Sequence, residues 1–267
     1  GSCTDIIATV IKPLQKFHPE LKIILSVFAD ATILLNMAED IPFCFDDDVN
    51  YIYEKQLEEA DLLVINKKDL LDDLQLQSLK KKVNKAFSHK KTVFQNSLKE
   101  NDIEQWLNML DNFDSNMDRN SLEINYDKYG AGEAKLAWLD DEVKIISETG
   151  DANELAVRLI NCMYEKIQQK NHPIGHLKFF IKAGGRQRKI SFTSLLDPKL
   201  KQTPSFIRLE ELDLLINARI QTDPERLKAI FSAAIKEVSR KDGDKIISKS
   251  LSVFQPGYPK PEHRIEN

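Results

Sequence analysis

The sequence predicts an α/β unit built on a parallel sheet, followed by a separate α+β unit. Short apolar, β-branched runs alternate with amphipathic helical stretches up to about residue 110. Such alternation implies parallel strands with helices packed on them. A polar stretch without apolar periodicity, Asp111 to Asn120, then breaks the pattern. Beyond it the strands come in hairpin-like pairs. At 267 residues two domains are the natural expectation. The boundaries read as 1–115, a linker at 116–120, an α+β domain at 121–250 and a Pro-rich, extended tail at 251–267.

In the first part, Ile6, Ile7, Val10, Ile11 and Leu14 form a helical stripe that Pro13 shortens or bends. Leu21 to Phe28 is short, apolar and β-branched, and reads as a buried strand ending at Ala29-Asp30-Ala31. Asp46-Asp47-Asp48 opens a helix to about Ala60, where carboxylates suit the N-terminal dipole. Leu62 to Ile65 is the next strand. An amphipathic helix follows through Leu74, Leu79 and Val83, then a strand from Lys91 to Gln95 and a helix from Ile103 to Leu110.

In the second part, Lys135 to Leu139 and Val143 to Ile146 read as strands around an Asp140-Asp141 turn. Asp151 to Glu154 reads as a capping box for a helix whose apolar face carries Leu155, Leu159, Cys162, Met163 and Ile167. His176 to Lys182 and Lys189 to Phe192 form a hairpin across Gly184-Gly185. Leu212 to Ile220 is a strand. Asp223-Pro224 starts a helix with Asp as N-cap, and Leu227, Ile230, Phe231, Ala234, Ile235 and Val238 make its apolar stripe. This order suggests a ferredoxin-like sandwich with helices on one face.

The net charge of -4 argues against a phosphate-backbone binder, so no nucleic-acid partner is expected. No run approaches a membrane span, so no membrane partner is expected either. Cys3, Cys44 and Cys162 form no CxxC pair and no disulfide framework, which fits a reducing cytosol and a cytoplasmic protein. Of the five histidines only His172 and His176 are four apart, and Pro173 and Gly175 between them rule out a continuous helical face, so local sequence builds no metal site. Arg186, Arg188 and Lys189 make a basic hairpin tip, read as solvated surface or a partner contact.

The segment with the most chemical content is Asn66-Lys67-Lys68-Asp69, directly after the apolar run Leu62 to Ile65. Loops at the carboxyl ends of parallel strands form binding sites. A carboxylate such as Asp69 can accept two hydrogen bonds from the N1 and N2 donors of guanine. Adenine lacks those donors and would leave the carboxylate desolvated and unpaired. Asn66 would tie neighbouring loops together, and the aliphatic stem of Lys67 would cover the base. The competing reading is a solvated strand-to-helix turn. Asn96 and Ser97 fall at the equivalent end of the next strand.

Three segments give a family resemblance: Gly1-Ser2-Cys3-Thr4-Asp5, Leu25 to Ala31 (LSVFADA), and Gln56 to Leu71 (QLEEADLLVINKKDLL). Together they resemble the CobW-type GTPases, the cobalamin-synthesis and nitrile-hydratase-activator group of P-loop proteins. The second half, with its tail from Phe254 to Arg264, resembles that family's C-terminal α+β domain. The resemblance implies the remainder of a parallel-sheet P-loop GTPase domain, with guanine read by Asn66, Lys67 and Asp69 and the base supported by Ser97. It implies GTP or GDP with Mg²⁺ as cofactor, a metal ion as cargo, and a client metalloenzyme or a second copy of the chain as partner. It also sets Asp5 beside the γ-phosphate in a switch, against a plain cap of the Ile6 helix, and Asp30 near the nucleotide, against a helix cap or turn. Cys3 is weighed as a thiol on a metal route, with a simply packed or exposed residue preferred.

The departures matter as much. No G-x-x-x-x-G-K-S/T and no Cys-x-Cys-Cys occurs. Gly130-Ala131-Gly132 lacks the Lys-Ser pair and reads as a flexible turn. The phosphate loop is expected upstream of Gly1. The chain then reads as the C-terminal portion of a longer GTPase, holding no catalytic residue and unable to hydrolyse GTP, or as a non-enzymatic module that docks a client.

Overall fold

The computed structural model describes residues 4–39, 45–114, 119–201, 208–239 and 243–266. Cys3, Cys44 and part of the expected linker (116–118) lie outside the described residues. The chain divides into two compact units, Gly1–Gly132 with Tyr258–Asn267, and Glu133–Gly257.

The first unit contains α1 (Lys12–Phe17), β1 (Ser26–Asp30), α2 (Ala31–Ala38), α3 (Asp47–Glu59), β2 (Leu62–Asn66), α4 (Asp73–Ala86), β3 (Lys91–Gln95), α5 (Glu100–Asp111) and the start of α6 (Tyr126–Ala134). A π-turn over Ile7–Ile11 runs directly into α1, with Pro13 just past the junction. The strands form a parallel sheet in the order β1-β2-β3. Leu62, Leu63, Val64 and Ile65 are all fully buried, as expected of a central parallel strand covered on both faces. Leu63 and Ile65 pack with Ala31, Leu34, Leu35, Leu79 and Val83. Leu62 and Val64 pack on the other face with Val93, Phe113 and Trp106.

The strand expected from Leu21 is shorter and later, because ladder pairing begins only at Ser26 opposite Leu62. Helix α2 has no counterpart in the sequence reading. Its start, Ala31 to Leu35, is apolar except for Thr32, and the change from strand to helix is made by the Asp30 side chain, which accepts from Thr32 N and Ile33 N. The Gly130-Ala131-Gly132 turn is instead part of α6. A Cβ on Gly132 would lie 2.5 Å from the Asp48 carbonyl oxygen, so the glycine permits close approach to α3. Arg119, assigned to the linker, is anchored: it grips Asp61 through Nε and Nη2 and donates to Ile23 O.

Residues 258–266 lie on this first unit. The Arg264 guanidinium pairs with the fully buried Asp5 at 2.7 Å and donates to Leu122 O. Tyr126 Oη donates to the same Asp5 oxygen at 2.6 Å, and Ile265 N donates to Ala8 O. Asp5 itself has φ +67°. Its side chain does not cap the Ile6 helix; only its carbonyl meets that helix, accepting from Thr9.

The second unit contains β4 (Leu136–Ser147), α7 (Ala152–Gln169), β5 (Ile174–Ala183), β6 (Arg186–Phe192), β7 (Glu211–Gln221), α8 (Pro224–Val238), β8 (Asp244–Ser248) and β9 (Ser252–Phe254). The sheet order is β6-β5-β7-β4-β8, with β9 also on β4, and every pairing is antiparallel. Here β4 is one continuous strand rather than two around a turn. The period of two runs through Asp140-Asp141, with Ala137, Leu139, Asp141, Val143 and Ile145 all buried. Asp141 is accommodated because Ser250 N donates to it. Asp151 precedes α7 but makes no side-chain cap bond; it accepts instead from Thr149 Oγ1. A true capping box occurs at Asp72 and Gln75. The Gly184-Gly185 turn has positive φ at both residues, as a two-residue hairpin requires.

Candidate functional site

The parallel register brings three polar strand ends onto one rung: Asp30 pairs with Asn66, and Asn66 with Gln95. This rung is the carboxyl edge of the sheet, where α/β folds place ligands.

Asn66 links the second and third strand ends. Its Oδ1 accepts from Ser97 N at 3.0 Å and Ser97 Oγ at 2.9 Å. The Ser97 hydroxyl in turn accepts from Gln95 Nε2 at 2.7 Å. Lys67 takes the left-handed conformation, φ +62°, which turns the chain sharply after β2. Its ammonium meets Asp30 at 2.6 Å. Asp30 is thus the cap of α2 and the counter-charge of Lys67 at once. Burial, reinforced by the Asp30 charge, pushes the nearby Tyr53 phenol up.

Lys68, unassigned in the sequence reading, braces the same edge. It donates to Phe94 O at 3.1 Å and pairs with Asp102 at 2.7 Å. Asp102 also accepts from Asn96 N at 2.6 Å. The Lys68 ammonium and then the Asn96 N–H hold the Asp102 carboxyl below the usual carboxylate range. Asp102 lies seven positions beyond the end of β3 on a helix read as starting at Ile103, so no local motif marked it.

Asp69 differs from its neighbours. It lies in a 3₁₀ turn, Lys68–Leu70, its side chain is exposed, and no hydrogen bond or ion pair engages it among the described residues. The edge therefore presents a fixed amide, a fixed hydroxyl and a free carboxylate within four sequence positions and one neighbouring loop.

A separate polar chain runs across β4, β5 and β7 of the second unit: His176 Nε2 meets Asn217 Oδ1, and Asn217 Nδ2 donates to Asp140. Burial, with Lys178 adding, lowers the His176 imidazole to about 4. Arg219 stacks on Trp138 at 3.7 Å. Among the described residues no group of three or more His, Cys, Asp or Glu could hold a metal ion. No helix among them is long and apolar enough to cross a membrane.

A parallel sheet with covered faces and a polar carboxyl edge defines the first unit as an α/β domain. Residues 9–95 match the family described as CobW/HypB/UreG, nucleotide-binding domain, the class that the resemblance implied. The matched segment holds β1, β2, β3 and the Asn66-to-Asp69 turn, and it stops short of Ser97 and of the whole second unit. No curated protein and no solved structure matches the chain.

Proposed function

We propose that the carboxyl edge of β1-β2-β3 binds guanine, and that the chain is the guanine-recognising, C-terminal portion of a GTP-binding and GTP-hydrolysing metallochaperone or metal-cofactor insertion protein. The observation that carries this is the contrast between Asn66, locked to Ser97, and Asp69, exposed and unengaged. Asp69 supplies the acceptor for the N1 and N2 donors. The Asn66 amide nitrogen is a donor suited to the O6/N7 acceptor edge of guanine. The stem of Lys67 covers the base, and Ser97 holds Asn66 in place. The second unit is read as a ferredoxin-like platform, with β8-β4-β7-β5 as its core sheet and β6 as an added edge strand.

The residues present fit a guanine base but not its phosphates. The sequence has no glycine-rich loop with a Lys-Ser pair, and no described residue at this edge replaces it for phosphate or Mg²⁺. This chain alone is therefore expected not to hydrolyse GTP. The reading places the protein in the cytoplasm, without nucleic-acid or membrane partners, and with a metal ion as cargo rather than as a resident group.

The test is titration of fluorescent GDP and ADP against the protein extended N-terminally through its phosphate loop. Tight GDP and weak ADP binding is the expected result, and Asp69→Asn should move preference from GTP toward XTP. Equal affinity for the two diphosphates, or unchanged selectivity in Asp69→Asn, overturns the assignment. A second reading, in which the chain docks a client metalloenzyme or a second copy without nucleotide, is favoured by the separate second unit. Client retention in a pull-down lacking nucleotide would support it.

A further inference from the structure

Among the described residues strand β6 ends the second sheet and pairs on one side only, with β5. Four successive residues on it, Arg186, Gln187, Arg188 and Lys189, are exposed. The stretch 182–189 holds Lys182, Arg186, Arg188 and Lys189 and no acidic residue, in a chain of net charge -4. Among the described residues no ion pair or side-chain hydrogen bond engages Arg186, Arg188 or Lys189. The acid across the ladder from Lys182 is Asp213, and Lys249 holds it at 2.9 Å.

The register sorts these cations. Arg186 and Arg188 stand opposite Ala183 and Ile181, whereas Gln187 and Lys189 stand opposite Lys182 and Phe180. On the Arg186 and Arg188 side there is a cavity of about 470 Å³. Ile181, Ala183 and Leu209 give it apolar walls beside the two guanidiniums. Cations on an edge strand commonly serve only to block edge-to-edge aggregation. That role accounts for the charge but not for an apolar-walled cavity beneath two unpaired arginines.

We infer that the free edge of β6 docks an extended, acidic segment of a partner protein by strand addition. Main-chain bonds to the β6 edge supply pairing. Carboxylates two positions apart on the added strand meet Arg186 and Arg188, where bidentate contact is available to guanidinium. An apolar side chain two positions further along the added strand shares their face and enters the cavity. The inference is independent of the guanine reading, since it uses no residue of the first unit.

The test uses the full chain and a fluorescein-labelled peptide carrying Glu, Glu and Val at alternate positions with Thr between them, read by fluorescence anisotropy at low salt. The expected result is saturable binding that weakens at least about tenfold when Glu is replaced by Gln, as loss of charge complementarity implies. Methylation of alternate peptide nitrogens on the pairing edge should weaken it similarly, because strand addition needs those donors. Arg186→Glu/Arg188→Glu should abolish binding. Arg186→Gln/Arg188→Gln, which places no acid on the edge, should weaken it at least about tenfold, with circular dichroism unchanged in both variants. No binding, equal binding by the Gln or methylated peptides, equal binding by the variants, or a preference for single-stranded RNA over the peptide would each overturn the inference.

Discussion

The two sheets solve burial differently, and the difference decides where chemistry can sit. In β1-β2-β3 the strands are parallel and the central one is buried on both faces, so the sheet spends its faces on core. All three strands end on the same edge, and Asp30, Asn66 and Gln95 are collected there by register alone. In β6-β5-β7-β4-β8 the strands are antiparallel, so their ends divide between two edges. Along β4 and β7 buried positions alternate with more accessible ones. Polar groups on that sheet gather across strands, as His176, Asn217 and Asp140 do. A parallel sheet therefore concentrates a site at strand ends, while the antiparallel one offers a face and an outer edge.

Breaking the cores should show this asymmetry most strongly. Leu62→Ala and Leu63→Ala serve opposite faces of β2, and each should cost about 3 kcal/mol, read as a lowered urea midpoint. In the second sheet Leu139→Ala should cost a similar amount, but Lys144→Ala, on the other face of the same strand, should cost less than about 0.5 kcal/mol. Equal losses at Leu139 and Lys144 would remove the one-sided picture. The buried pair in the first unit comes next. Arg264→Ala leaves the Asp5 carboxylate buried without its cation and should cost about 3 kcal/mol, whereas Asp5→Asn with Arg264→Met should recover part of the loss. No recovery in the double variant would mean that the charge pairing is not what matters.

Acid should act on the second sheet through His176. Its folded pKa, about 4, lies below the ordinary value of 6.5. The unfolded chain therefore binds the proton first, and stability is highest above about pH 6.5 and falls as pH drops toward 4. The loss should approach about 2 kcal/mol, and His176→Gln should flatten that part of the pH profile. A wild-type midpoint independent of pH in that window would rule the cause out. The last effect is local: Asn66→Ala should cost about 1 kcal/mol by freeing Ser97, with a larger loss in GDP affinity than in stability.

Much of the fold was legible because periodicity is local. The apolar run of β2, the stripes of α7 and α8 and the double glycine of the hairpin each announce their element. The failures share a cause as well. Asp140-Asp141 looks like a turn until the partners on β7 and the Ser250 N–H are known. Gly130-Ala131-Gly132 looks flexible until Gly132 is seen against α3. At the edge, Asn66 and Ser97 were legible as loop partners, but the roles of Lys68, Asp102 and Gln95 depend on neighbours brought in by the third dimension. The Asp5–Arg264 pair joins residues 259 positions apart, and no window of sequence could reveal it.

That last contact sets an order of events during synthesis. The first unit is discontinuous: its final piece, Tyr258–Asn267, is translated only after the whole of Glu133–Gly257. Joining ends so far apart in an unstructured chain costs roughly 5 kcal/mol of loop entropy. The second unit removes most of that cost when it folds, because β9 returns to β4 with Phe254 opposite Trp138. The points where the chain enters and leaves that unit are then neighbours, as in an inserted domain. A nascent chain therefore leaves Asp5 without its guanidinium until Arg264 has been made, and the folded inserted unit then lowers the cost of bringing the two together.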